Sequence, residues 1–266
     1  MTNRSNLFFY YKHSVEHEEQ LQPLFNLAKE NGFHLVDNHE QANIIVSVGG
    51  DGMFLQAVRK TGFRQDCLYM GITVNEHASL YCDFHLSNFN EMVRSMLHDD
   101  IEVRKFPVIE ARINKTMPFY CLNEVSIRSS IIKTITLDVF IDDLYFERFR
   151  GDGLIVSTPT GSTAYNKSTK GAVVDPKIPC FQVTELASLN NNRFRTLGSS
   201  FILSGERKLY LQTVDDGNDH PIIGIDNEAL PIRNIEEVAV KLSDCVIKTV
   251  KLKNNSYWDR VKRTFL

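Results

Sequence analysis

Four groups of residues carry side-chain types that could do chemistry. The first is Gly49, Gly50, Asp51 and Gly52. Glycines let a phosphate approach the backbone closely, and the free N–H groups that open a helix favour negative charge there. A carboxylate in such a loop repels a bare phosphate, so Asp51 has to meet a metal ion, a protonated group or a hydroxyl to be deprotonated. No Walker lysine follows, because G-x-x-x-x-G-K-[ST] occurs nowhere in the chain. The second group is Asn123 and Glu124. An amide offers both donor and acceptor and a carboxylate accepts from hydroxyls, which suits a ribose or the edge of a base. Asp152 in R-G-D-G-L, with Arg150 as the nearby fixed cation, is the third. The fourth is Thr158 to Tyr165, T-P-T-G-S-T-A-Y, whose hydroxyls and helix-opening N–H groups suit sugar or phosphate. Each group also has a plainer reading: Asp51 or Thr160 could cap a helix, and Arg150 could close a salt bridge within its strand. His13, Glu16 and His17 match H-x-x-E-H, but without a further ligand group they read as a solvated helix start.

Elements must position these groups. Ile44 to Val48 is a short β-branched run of the kind that fills a buried parallel strand; it stops at Gly49-Gly50, and a helical pattern begins at Met53. Leu7 to Tyr11 reads as a first strand, and Leu21, Leu24, Phe25, Leu27 and Ala28 share a helical face that Gly32 ends. Phe33 to Val36 and Leu68 to Ile72 read as strands, and Ser87 to His98 as a helix with Phe89, Met92, Val93, Met96 and Leu97 as its stripe. This alternation predicts a parallel sheet with helices on its faces and ligands beyond the strands' carboxyl ends.

From Ile101 the texture becomes β-rich. Strands are expected over Ile101 to Ile113, Phe119 to Arg128, Thr134 to Ile141 and Leu144 to Phe149, with Asp142-Asp143 as a hairpin turn. More follow at Phe201 to Leu203, Lys208 to Val214, Ile222 to Ile225, Val238 to Leu242 and Val246 to Leu252. Helical insertions are expected near Thr160 to Gly171 and Phe181 to Asn190, and Trp258, Val261 and Phe265 space a short amphipathic helix in the tail. The expected fold class is an α/β N-terminal domain with a parallel sheet (1–100), an antiparallel β-rich C-terminal domain with helical insertions (101–252), and a terminal helix (253–266) packing back on the first domain.

The 266 residues and 42% hydrophobic content suffice for a full core. A net charge of −3 gives no general attraction to nucleic acid or anionic lipid, so small molecules and copies of the chain are the expected partners. Five cysteines without C-x-x-C spacing suit free thiols in a reducing compartment. Met1 to Leu7 is too polar for a signal peptide and no long apolar run exists, so the expected location is cytoplasmic, with no membrane partner.

G-G-D-G, N-E, G-D-G-L and T-P-T-G-S-T-A-Y, in this order and spacing, resemble the NAD kinase family, in its bacterial ATP- or polyphosphate-dependent type. G-G-D-G alone is shared with phosphofructokinases and with diacylglycerol and sphingosine kinases; the threonine-rich segment is the specific one. The resemblance spans roughly Ile44 to Asn227. It implies phosphorylation of the adenosine-ribose 2′-hydroxyl of NAD to give NADP, with ATP or polyphosphate as donor and Mg²⁺ as the usual metal. It implies Asp51 as the base, Gly49, Gly50 and Gly52 as the donor-phosphate loop, and Asn123 and Glu124 on the adenosine. Thr163, Ala164, Tyr165 and Ser168 would line the adenine and ribose pocket, with Leu80 as part of its apolar wall and Ala187 and Phe194 completing it. Asp152, beside Arg150, would meet the nicotinamide end from a neighbouring subunit, which implies a homodimer or homotetramer. No protein ligand for the metal is assigned.

Two departures stand out. Met53 follows G-G-D-G where the family usually has Thr, and V-N-E-H-A-S-L-Y stands for N-x-G-x-x-G-F, with Glu76 and His77 at permissive positions. Two alternatives accompany the reading: a lipid kinase of the same superfamily, and an NAD-binding regulator that lost turnover through Met53 and the altered loop.

Overall fold

A computed structural model describes residues 5–13, 15–75, 79–88, 92–95, 101–215, 221–232, 234–253 and 255–266, with backbone alone at 15–17. The chain forms two compact units, Met1–Phe106 with Val246–Leu266, and Pro107–Cys245.

In the first unit β1 (Asn6–Tyr10), helix α1 (Val15–Glu30), β2 (His34–Leu35), β3 (Ile44–Gly49), helix α2 (Asp51–Lys60), β4 (Leu68–Thr73) and β5 (Phe84–His85) follow in turn. The pairs β1–β2, β1–β3, β3–β4 and β4–β5 are all parallel. Parallel strands are covered on both faces, which is why β4 is buried throughout and β3 up to its last residue. From α1 the side chains Leu21, Leu24 and Ala28 are buried with Leu7, Val46 and Met70, as the helical spacing requires. Such burial stabilises by roughly 1.5–3 kcal/mol per large aliphatic side chain. Gly32, at φ +81°, ends the helix in the left-handed region.

The second unit is antiparallel. It comprises the remainder of β6 (Ile101–Ile113), β7 (Phe119–Cys121), β8 (Glu124–Ser129), β9 (Ile135–Ile141), β10 (Leu144–Gly151), β11 (Gly153–Ser157), β12 (Cys180–Leu186), β13 (Phe201–Ser204), β14 (Lys208–Thr213), β15 (Pro221–Ile225), β16 (Glu228–Leu230) and the first part of β17 (Glu237–Leu252). One sheet runs β13-β12-β11-β8-β15-β16, and β10-β9-β14-β17 form another ladder. Inward residues of both, among them Val125, Val156, Phe181, Leu211 and Val240, make one apolar cluster. The β9–β10 turn is Asp142-Asp143 as expected: Asp142 takes φ +52° and its carboxylate accepts from Lys208 N–H at 2.9 Å.

Several expectations need correction. Phe181 to Asn190 is no helix: its first part lies in β12, where Phe181 and Val183 point into the core and the strand pairs on both edges, so tertiary pairing decides an ambiguous short apolar run. The two strands expected over Val238 to Leu252 are one continuous strand. The tail helix forms at Tyr257–Phe265, but the side chain it buries is Arg260, 1% exposed, while Trp258 is 49% exposed. In Ser87 to His98, Leu86–Asn88 is a 3-10 turn and residues 92–95 are helical with Met92 and Val93 buried. Phe89, Met96, Leu97 and His98, like Glu76 and His77, lie outside the described residues. His13 is exposed with its ring 3.5 Å from the Glu18 carboxylate; the Glu16 and His17 side chains are not described.

Candidate active site

In the first unit the site is built on the β3–α2 turn. Strand β3 delivers Gly49 and Gly50 at its carboxyl end and α2 starts at Asp51, with Gly50 at the N-cap and no side chain capping the helix. The carboxylate of Asp51 does not fold back on its own helix. Oδ2 accepts from Leu80 N–H at 2.9 Å, and Oδ1 accepts from Tyr81 N–H at 2.9 Å and from the Ser79 hydroxyl. Ser79 Oγ in turn accepts from Cys82 N–H at 2.8 Å, and the Tyr81 ring stacks on Phe54 of α2 at 5.1 Å. The segment 79–82 thus fixes the carboxylate from one side. An ionised carboxylate offers about four acceptor positions. Among the described residues these contacts occupy three, which leaves one on Oδ2 of a half-buried side chain. Gly50 matters sterically, since a Cβ there would sit 3.1 Å from the Asn75 amide. Met53 packs directly under Gly49, where an added Cβ would come within 2.9 Å of its own Cβ.

In the second unit Asn123 and Glu124 open β8 and are 9% and 5% exposed. Thr158 holds that opening: its N–H donates to Asn123 O at 2.8 Å and its hydroxyl to Leu122 O at 2.6 Å. The same hydroxyl oxygen accepts from Gly161 N–H at 2.9 Å. The capping hydroxyl of this turn is therefore Thr158; Thr160 makes no cap hydrogen bond, because its backbone is already helical at φ −67°. Gly161 lies so close that a Cβ would fall 2.0 Å from Asn123 O. The threonine-rich segment continues through a 3-10 turn, Gly161–Thr163, into a one-turn helix, Tyr165–Ser168.

Asn166 anchors this turn. It is fully buried, donates to Ser162 O at 3.1 Å and accepts from the Thr184 hydroxyl at 2.6 Å. Sequence reasoning missed it, along with Asp226, whose carboxylate accepts from Leu122 N–H at 3.1 Å and Asn123 N–H at 2.7 Å. Asp226 acts across the chain, and Asn166 joins its own turn to Thr184 of β12, a partner that the local pattern does not mark.

A cavity of about 320 Å³ is lined by Asp152, Tyr165, Ser168 and Ala187 together with Arg128, Lys170 and Glu185. Asp152 reaches it because glycines flank it: a Cβ at Gly151 would meet Leu186 O at 2.7 Å and one at Gly153 would meet Ile127 O at 2.3 Å. Arg128 lies over the Tyr165 ring at 5.5 Å. Arg150 and Phe194 associate with each other instead, guanidinium over ring at 4.7 Å, and Arg150 also donates to Thr134. Thr163 is buried, donating to Thr160 O at 3.1 Å, with Ala164 half-buried after it.

Electrostatics single out Glu124. Burial, with the Asp226 carboxylate adding to it, pushes its carboxyl up to about 8, and its Oε2 is buried without a hydrogen-bond partner. Burial likewise raises the Cys82 thiol to about 12 and Cys121 well above the usual range; all five cysteines are free. These thiols are packing groups.

A rigidly held carboxylate with one open acceptor position, at a phosphate-permitting turn, suits a phosphotransferase whose acceptor is an alcohol group. Residues 122–252 match the family model of the ATP-NAD kinase C-terminal domain. Over 263 residues the chain is 63% identical to NAD kinase 2 of Bacillus subtilis, covering 99% of this chain and 98% of that protein. It is 60% identical to NAD kinase 2 of Oceanobacillus iheyensis over the full length of both. The chain belongs to the NAD kinase family. Among solved structures it resembles an NAD kinase from Archaeoglobus fulgidus in complex with ATP, with TM-score 0.75 and 25% identity, covering 97% of this chain and 99% of that one. Yeast NADH kinase complexed with NADH shares the fold, with TM-score 0.79 and 18% identity over 97% and 86% of the two chains. These matches favour neither the lipid-kinase nor the regulator alternative.

Proposed function

We propose that the protein transfers the γ-phosphoryl group of ATP to the adenosine-ribose 2′-hydroxyl of NAD, giving NADP and ADP. The observation that carries this reading is the Asp51 carboxylate, pinned by three donors with an acceptor position open on Oδ2. That position takes the 2′-hydroxyl proton as its oxygen bonds to phosphorus and the bond to the ADP leaving oxygen breaks. Phosphoryl transfer asks the protein chiefly for placement and an aimed acceptor, which a fixed carboxylate supplies.

Gly49, Gly50 and Gly52 make room for the donor phosphates. Asn123 and Glu124 hold the adenosine, Thr163, Ala164, Tyr165 and Ser168 line its pocket, Leu80 adds apolar wall, and Ala187 and Phe194 complete it. Asp152, beside Arg150, serves the nicotinamide end of a neighbouring subunit, so the working form is a homodimer or homotetramer. No group of three or more His, Cys, Asp or Glu that could hold a metal occurs among the described residues. Mg²⁺ would be carried in by the ATP phosphates and offset their charge. No described helix is long and apolar enough to cross a membrane, and the free cysteines agree with a reducing, cytoplasmic setting.

The test is incubation of the chain with NAD and Mg-ATP, read through an NADP-specific dehydrogenase, beside arms with polyphosphate and with diacylglycerol vesicles. NADP in the ATP arm is expected. Phosphate on lipid alone, or NAD binding without product at high protein concentration, overturns the reading.

A further inference from the structure

The turn between β15 and β16 places Asp226 in the left-handed region, at φ +51°, and in register with the start of β8, where Ile225 faces Val125. From there the contact is reciprocal. Asp226 N–H donates to Glu124 O at 2.9 Å, and its carboxylate takes Leu122 N–H on both oxygens, at 3.1 and 3.2 Å, and Asn123 N–H on Oδ1 at 2.7 Å. Leu122 and Asn123 lie between the end of β7 and the start of β8, outside either strand. We propose that Asp226 is a positioning residue of the dinucleotide site, pinning the Leu122–Asn123 backbone and setting both the placement and the hydrogen-bonding sense of the Asn123–Glu124 pair. The inference rests on the function proposed above.

Placement follows from the geometry. Thr158 holds the carbonyls of Leu122 and Asn123, and Asp226 holds their N–H groups, so the peptide before Glu124 is fixed on both edges. Hydrogen bonds to a charged acceptor are the stronger kind, and losing one leaves buried amides unsatisfied.

Sense follows from charge. Glu124 is 5% exposed and its Oε2 has no partner. The charged group acting on it is the Asp226 carboxylate, from the β15–β16 turn; the neighbouring Cys121 thiol is neutral, and Ser157 of β11, which faces Glu124, and Thr158 after it carry no charge. A buried carboxyl beside a carboxylate keeps its proton. Glu124 therefore meets the ligand as an O–H donor at neutral pH and as an acceptor only in alkali. A carboxylic acid donates to a ring nitrogen or an ether or hydroxyl oxygen, all of which an adenosine presents.

The test is calorimetric titration of NAD into the full chain from about pH 6 to about pH 9.5, with amide exchange at Leu122 and Asn123 in the ligand-free protein. For the wild type, affinity is expected to fall as pH rises through about 8. Glu124→Gln, a neutral isostere, flattens that dependence. Asp226→Asn weakens NAD roughly tenfold, moves the alkaline fall to lower pH, and speeds exchange at the two amides. Unchanged exchange and affinity in Asp226→Asn overturn the proposal, and so does loss of more than about a hundredfold in affinity at pH 7 in Glu124→Gln, which marks a charged acceptor. If Asp226→Asn does not fold, the Glu124→Gln profile still decides. A folded wild type that takes no NAD at any pH removes the function proposed above, while the exchange result still judges Asp226.

Discussion

Asp51 is where the residue scale matters most. Replacing it by Asn keeps the shape and one accepting oxygen, sets an amide donor against the loop on the other side, and removes the proposed base, so Asp51→Asn should hold NAD within a few-fold of the wild type while turnover drops by roughly 10²–10⁴. Calorimetry and the coupled NADP assay read the two parts separately. Glu124 gives a second prediction, on stability. Its carboxyl is raised to about 8 in the folded protein, so between the usual glutamate value and about 8 the folded state binds more protons than the unfolded one. Stability from this group is full below that window and is lost as pH rises through it, on the order of a few kcal/mol. Glu124→Gln should remove that slope from melting temperatures measured across pH. Sequence patterns supplied Asp51, Asn123, Glu124 and Asp152 because each stands in a motif. They could not supply Asp226, whose partners Leu122 and Asn123 lie far back along the chain, or Asn166, which ties its own turn to Thr184 of β12.

At the scale of elements, close approach governs. The Thr158–Gly161 turn touches the opening of β8 so tightly that Gly161→Ala would press a Cβ onto Asn123 O, where the space is 2.0 Å. Backbone on both sides cannot yield cheaply. The variant is expected to lose about 3 kcal/mol or more of stability and to bind NAD poorly, as thermal melts and calorimetry would record. The β3–Gly–α2 unit was legible from its residues: a β-branched run, two glycines, then helical spacing. Strand β12 was not, since C-F-Q-V-T-E-L followed by A-S-L-N carries apolar residues compatible with either period, and only pairing with β11 and β13 settles it.

At the scale of the molecule, the first unit closes around a buried ion cluster joining its two chain segments. Arg260 of the terminal helix and Arg104 both donate to Asp83, at 3.1 and 2.7 Å, and Asn255 donates to its other oxygen at 2.6 Å. Burial lowers both guanidinium pKa values, Arg104 to about 10, against the pull of Asp83. Two cations on one carboxylate make the carboxylate the critical member. Asp83→Ala should cost about 3–5 kcal/mol by leaving two guanidiniums unpaired, whereas Arg260→Met keeps the Arg104–Asp83 pair and should cost less than half as much in denaturant melts. Sequence alone determined the α/β-then-antiparallel order of the chain and the family, because strand and helix periods and glycine turns are local. Tertiary structure alone decided that the terminal helix buries an arginine in place of its aromatics, and which distant side chains brace Asp51 and Asn123. Charge pairing and backbone satisfaction depend on which segments meet, and short-range spacing carries no record of that.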